Sequence, residues 1–367
     1  MTISSVLTQE ELDLAKERRR HDAGEGRSTA PLTAADRVRW PAPERLTLLA
    51  LNSLTFGEVQ LAAEHQPLRA WLNRRVPAFC DRMPAALRDS ALLAVQAHVT
   101  RYRACHVAAF YDKYYPPAWT VIPFLASSRG GVDPGQVHDA LGAQAAAMFL
   151  HLLDNHLTDG DIPVDNLFLQ LRTEVWGEFR DTLGRLAGSD QEAKRTVESL
   201  VDLYFSRIHR HPDRPDLAAY KEVFRGQAAT SLIAPLLIAA RTGYDTGQRR
   251  LIRSMYEEFC LAWRILDDLR DAVTDAAADR ATAVFHLLPP ESRSVWHDVA
   301  LDPSDGERRD ALLGVLRCAA YPAATQAIHT HLTTAAHAAD ELDLPGLGSQ
   351  YRALTLPVEE NMKENMP

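Results

Sequence analysis

Four aspartates in one short stretch, Asp267, Asp268, Asp271 and Asp275, have the types and spacing that could do chemistry. On a helix Asp267 and Asp271 lie four residues apart and Asp268 precedes Asp271 by three, so their carboxylates share a face. Asp275 extends the stripe by one turn. An apolar run, Phe259, Leu261, Ala262, Trp263, Ile265 and Leu266, leads into it and reads as core. Clustered carboxylates repel one another and are costly to desolvate unless a cation neutralises them. Oxygen-only ligands favour a hard divalent ion, Mg²⁺ above all, which usually keeps waters and binds substrate phosphate. The plainer reading is a solvated acidic face at a helix end; the apolar run reaching Asp267 argues against it.

A second acidic segment closes another apolar helix, Met148-Phe149-Leu150-His151-Leu152-Leu153-Asp154-Asn155-His156-Leu157-Thr158-Asp159-Gly160-Asp161. Asp154, Thr158 and Asp161 share a face, while His151 and Asn155 form an i,i+4 pair. Asp154, Asp159 and Asp161 would form a rearranged metal site or simply cap the helix end and the Gly160 loop. Phe149, Trp176, Phe224, Phe259 and Trp263 are aromatic enough to line an apolar pocket and steady a carbocation, though helix packing is their ordinary use. Arg101, Arg103 and Lys113, flanked by tyrosines, read as a basic edge. His329, His331 and His337 lack the spacing of a helical metal pair. No GxSxG, P-loop or GxGxxG occurs, which removes serine hydrolase, NTPase and dinucleotide-binding readings.

The elements that must position these residues are helices. Alanine is abundant, Gly and Pro fall between periodic segments, and β-branched alternation is almost absent. Helical patterns cover 44–63, 84–111, 135–158, 164–187, 190–209, 216–241, 245–277, 291–300 and 305–341. Breakers separate them at Pro116-Pro117, Gly130-Gly131, Gly160 to Pro163, Pro212 to Pro215 and Pro289-Pro290. Residues 1–43 read as a charged helix and linker, 44–345 as one all-α bundle, and 346–367 as an irregular tail. The chain has 367 residues, 46% hydrophobic, with a net charge of −9 and no basic stripe, which argues against nucleic-acid binding. Cys80, Cys105, Cys260 and Cys318 form no CxxC pair, and no signal peptide is visible, so a cytoplasmic enzyme is expected. The longest apolar run, Leu232 to Ala240, is about half the ~20 residues of a membrane span, so no span is expected.

Two helices ending in carboxylates, in an all-α chain, resemble the trans-isoprenyl diphosphate synthase family and the class I terpene synthases that share its fold. The resemblance covers roughly residues 80–300. Asp267-Asp268-Leu269-Arg270-Asp271 matches the second DDxxD motif, with Trp263 where Phe is usual and Arg264 where Gln is usual. Tyr220 to Ala229 is similar to the segment that carries a Lys-Thr pair, here Gln227-Ala228. Asp154-Asn155-His156-Leu157-Thr158 resembles the end of the first motif. The resemblance implies an all-α class I isoprenoid synthase bundle in which Mg²⁺, held by Asp154, Asp267, Asp268 and Asp271, ionises an allylic diphosphate such as farnesyl or geranylgeranyl diphosphate. It implies Arg225, Gln227, Arg264, Asn155, Trp263 and Phe149 as substrate contacts, and a homodimer is expected.

Departures from the pattern bear on the reaction. The first motif reads Leu150-His151-Leu152-Leu153-Asp154, so its last carboxylate alone survives, and Asp159-Gly160 stands where two arginines are usual. No Gly-Lys-x-x-Arg segment appears upstream. Each lost cation removes a charge-assisted contact worth about 1.5–3 kcal/mol. Cyclisation, or transfer to an acceptor without diphosphate, is therefore expected over chain elongation with isopentenyl diphosphate. Elongation with substitute cations Arg101, Arg103 or Arg225 is one rival, and a catalytically silent partner subunit is another.

Overall fold

The computed structural model describes residues 51, 54–103, 105–208 and 216–364, and among them every regular element is a helix, with no strand. The expected N-terminal helix and linker, residues 1–43, lie outside the described residues, as do the side chains of Arg101 and Arg103. The helices are α1 (Gln66–Asn73), α2 (Arg75–Asp81), α3 (Arg88–Arg103), α4 (Pro117–Arg129), α5 (Pro134–Asp159), α6 (Asn166–Ala187), α7 (Gln191–Ile208) and α8 (Leu217–Gln227). They continue with α9 (Thr230–Arg241), α10 (Thr246–Ala277), α11 (Ala283–Leu287), α12 (Arg293–Leu301), α13 (Gly306–Val315), α14 (Tyr321–Glu341) and α15 (Pro345–Glu364). A π-helical turn, Leu316–Ala320, joins α13 to α14.

The site-bearing helices owe their limits to local chemistry. Asp245 caps α10 by accepting from Gln248 N at 2.8 Å while Gln248 Oε1 accepts from Asp245 N, two orphan donors satisfied reciprocally. Asp133 caps α5 through Gly135 N, and α5 ends where Gly160 turns left-handed, with φ at 75°. Asp165 and Asp216 cap α6 and α8 in the same way. The long α10 packs chiefly on α14, α14 on α15, and α5 on α6. The core between them is continuous, with Phe79, Phe110, Trp119, Phe179, Tyr256, Phe259 and Tyr351 all fully enclosed.

Four expectations from sequence are corrected. The helix expected over 216–241 is two helices, α8 and α9, bent by 63°. At the bend the bonding shortens to Ala229 N→Gly226 O, Ser231 N→Ala228 O and Leu232 N→Ala229 O, and Pro235 withholds a donor inside α9. The tail expected to be irregular is the helix α15, started by Pro345 in its first turn and buried through Leu347, Tyr351, Leu354 and Val358. The helix expected over 44–63 is not helical at 54–62, where Leu54 and Phe56 are buried and Gly57 N donates to Leu354 O. Between Pro116-Pro117 and Gly130-Gly131 no helix is expected, but α4 fills that stretch: the double proline ends one segment and opens the next, because proline is tolerated in a first turn, where N–H groups lack helical partners.

Gly226, last but one in α8, meets α7. A Cβ there would stand 2.4 Å from Arg207 Cγ, so the two helices touch through a missing methyl group. Among the described residues no single helix is long and apolar enough to cross a membrane.

Candidate active site

The aspartate stripe lies on the C-terminal third of α10, and its four carboxylates have different surroundings. Asp268 is buried, its side chain 1% exposed. Its Oδ1 lies 2.8 Å from Arg264 Nε, and its Oδ2 accepts from the Tyr220 hydroxyl on α8 and from Ala283 N at 2.9 Å, at the start of α11. Burial raises its carboxyl above the ordinary range, against the pull of Arg264 and Tyr220. Arg264 Nε also donates to Tyr220 Oη at 2.9 Å, and its Nη1 lies 3.7 Å from Asp267. Arg264 is half-buried, and the charges of Asp268 and Asp267 with the Tyr220 bond hold its guanidinium protonated against the desolvation that opposes it.

Asp267 has a side chain 53% exposed, and Asp271 also reaches solvent. Although its tip is wet, Asp271 is crowded by protein: desolvation first, and then the Asp267 charge, push its carboxyl up to about 7. Asp275, 7% exposed, is pushed up to about 8, again by burial and then by Asp268. Burial is the larger cause for both, and the neighbouring aspartates add to it, so Asp271 and Asp275 sit in like-charged surroundings that a bound cation would relieve. Among the described residues no three His, Cys, Asp or Glu side chains are gathered tightly enough to hold an ion between them. Mg²⁺ commonly needs only one or two protein carboxylates, taking its other ligands from water and phosphate, so Asp267 and Asp271 fit it as a pair.

An aromatic wall adjoins the stripe. Trp263, one turn before Asp267, meets Tyr114 and Tyr115 edge-on at 5.3 and 5.7 Å and lies 6.2 Å from Phe259. Burial raises the Tyr115 phenol above the ordinary range, between the opposing charges of Arg270 and Asp267. Phe149 is buried in α5 against Phe79 and Phe110, a packing position.

The end of α5 is built otherwise. Asp154 has a side chain 0% exposed. Arg172 of α6 grips both its oxygens, Nε on Oδ1 and Nη2 on Oδ2 at 3.1 Å, and Tyr204 of α7 donates to Oδ2 at 2.7 Å. Its bonds thus go to α6 and α7, with none to α10. Asn155 donates to Asp159 at 3.2 Å, Thr158 to the Asp154 carbonyl, and His156 lies 3.8 Å from Asp161. His151 Nδ1 is 3.1 Å from the Gln227 carbonyl, and the Gln227 side chain reaches Arg207 O at 3.4 Å.

Arg225 is engaged away from the stripe, with Glu222, Glu257 at 3.6 Å and Glu258 at 3.3 Å. At a rise of 1.5 Å per residue, Glu258 lies roughly 15 Å along α10 from Asp268. His331, read from spacing as no metal ligand, pairs with Glu258 in that same network. Arg172 and Tyr204 escaped the sequence reading because their link to Asp154 spans 18 and 50 positions, with no local pattern to mark it. Tyr220 lay inside the segment singled out from sequence, but its role as a donor to Asp268 did not.

No known family profile matches the chain, and no curated protein matches it in sequence. Solved structures do match it in shape. Geranylgeranyl pyrophosphate synthase from Corynebacterium glutamicum aligns with a TM-score of 0.60 at 15% identity, over 86% of this chain and 98% of that one. The same enzyme complexed with isoprenyl diphosphate and magnesium aligns at 0.56 and 15%, over 82% and 99%. A polyprenyl synthetase from Streptomyces coelicolor A3(2) aligns at 0.55 and 15%, over 80% and 99%. Identities this low speak to shape alone, and the shape is that of the trans-isoprenyl diphosphate synthases, an all-α fold.

Proposed function

We propose that this chain is a cytoplasmic, Mg²⁺-dependent enzyme that ionises one allylic prenyl diphosphate, then cyclises it or transfers it to an acceptor that carries no diphosphate. The observation that carries the reading is the solvent-reaching pair Asp267 and Asp271 in an under-neutralised stripe beside the wall of Trp263, Tyr114 and Tyr115. Mg²⁺ bound there supplies a counter-charge to the leaving diphosphate. Arg264, already against Asp267 and Asp268, adds a fixed positive charge on the same side. The aromatic faces offer an apolar, electron-rich surface to the cation left behind and keep water from it. The C. glutamicum neighbour, whose structure is described with isoprenyl diphosphate and magnesium, supports the pairing of ligand and ion.

A single diphosphate is favoured because the cations a second one would need are committed elsewhere. Arg225 serves three glutamates, Gln227 carries no charge, and Arg172 neutralises Asp154. The test is incubation of purified protein with C10, C15 and C20 prenyl diphosphates and Mg²⁺, with and without isopentenyl diphosphate. Pyrophosphate release independent of isopentenyl diphosphate is expected. A product five carbons longer that depends on isopentenyl diphosphate would restore chain elongation. The internally neutralised Asp154 favours one other reading, a silent partner subunit; a folded protein that consumes none of the substrates would support that instead.

A further inference from the structure

The two acidic helices share a device that neither sequence motif contains. Asp154 on α5 and Asp268 on α10 are both fully buried, and each is held by one guanidinium and one phenol. On α5 the pair is Arg172 and Tyr204; on α10 it is Arg264 and Tyr220. In both cases the guanidinium lies over aromatic rings, Arg172 over Trp176 and Phe205 at 5.9 and 6.0 Å, Arg264 over Phe224 at 5.7 Å. In both cases the phenol comes from a different helix than the arginine, Tyr204 from α7 and Tyr220 from α8.

A carboxylate offers about four lone-pair directions; Asp154 accepts three hydrogen bonds, and Asp268 accepts two with the Arg264 guanidinium 2.8 Å from its other oxygen. No solvent-facing oxygen is left for a cation to approach. An ion arriving at either position would have to displace a guanidinium from a fully buried carboxylate, which is opposed by the cost of breaking that pair. Asp267 and Asp271 meet no such obstacle.

We infer that Arg172 and Arg264 stand permanently where metal ions would otherwise balance Asp154 and Asp268, so that the chain binds one divalent cation, at Asp267 and Asp271, and not a cluster. Charge in this site is then mostly built in, by two guanidiniums whose positive charge is independent of metal supply. The inference rests on the cation position proposed for α10.

The experiment counts Mn²⁺ per chain by electron paramagnetic resonance and equilibrium dialysis, with inorganic pyrophosphate present and a protein-free control. One Mn²⁺ per chain is expected. Asp154→Asn and Asp268→Asn should leave its affinity within about threefold, while Asp271→Asn should weaken it by at least about tenfold. Two or more ions per chain overturn the inference, and so does loss of the ion in a folded Asp154→Asn or Asp268→Asn protein. Should those variants not fold, the wild-type count decides alone. One bound ion with no turnover of any prenyl diphosphate keeps the inference and sinks the proposed activity. No bound ion sinks both.

Discussion

The end of α5 and the C-terminal third of α10 carry the same kind of residue in opposite states of balance. On α5 each aspartate has a partner from its own chain: Arg172 and Tyr204 for Asp154, Asn155 for Asp159, His156 beside Asp161. On α10 one arginine serves Asp268 fully and Asp267 at 3.7 Å, while Asp271 and Asp275 are pushed up to about 7 and about 8. Counting carboxylates therefore does not find a metal position. What distinguishes the two helices is whether the protein has already supplied the opposite charge, because a paired carboxylate has little left to offer an incoming ion.

The sharpest way to break this comparison is to remove the internal cation of α5. Arg172→Met leaves Asp154 buried and uncompensated, and should cost about 3–5 kcal/mol in denaturant unfolding. A loss below about 1 kcal/mol would mean that Tyr204 and relaxation suffice, and that the α5 pair contributes little. On α10 the same logic predicts an effect on rate. Asp267→Asn with Asp271→Asn should lower turnover of a prenyl diphosphate by at least about a hundredfold, some 2.7 kcal/mol of transition-state stabilisation. The fold should survive, since like charges are being removed, and an unchanged rate would take the cation away from α10.

A pH titration sharpens the contrast. Asp271 and Asp275 are held above their unfolded value near 3.8, so between there and about 7 to 8 the native state binds more protons than the unfolded one. Stability from these two groups is complete below about pH 4 and is lost as pH rises through their folded values. Metal-free protein should melt lower at pH 8 than at pH 5.5. Asp275→Asn should flatten that slope, by on the order of a few kcal/mol at pH 8, and added Mg²⁺ should flatten it too. A metal-free slope untouched by Asp275→Asn would show that the burden lies elsewhere. Least of all should matter the turn after α5: Asp161→Asn loosens a long, 3.8 Å contact with His156 at a position 40% exposed, and should shift stability by less than about 0.5 kcal/mol, with metal binding unchanged.

Much of this was legible in residues. The helical pattern over 245–277 matches α10, and the apolar run that leads into the stripe is core, although Asp267 and Asp271 reach solvent while Asp268 and Asp275 are buried. The resemblance of the DDxxD segment gave the fold that the solved neighbours bear out. Helix α4 after the double proline, the corner between α8 and α9 and the helical tail were missed because each depends on what the segment packs against. Tyr351 and Leu354 make a helix of α15 by burial, which no local pattern announces. Arg225 looked available for phosphate until three glutamates were found around it, two of them more than thirty positions away in the chain. Pairing across the bundle decides which charges remain free, and sequence spacing does not carry it.

Gly226 gives this division of labour a mechanical side. Tyr204 rides on α7 one turn before Arg207, and Tyr220 rides on α8 six residues before Gly226, so the two phenols belong to helices that meet at that glycine. The absence of one methyl group there acts as a gauge for the spacing of the two donors. A bulkier residue would act as a shim, driving α7 from α8 and pulling at both buried carboxylates from a point that touches neither.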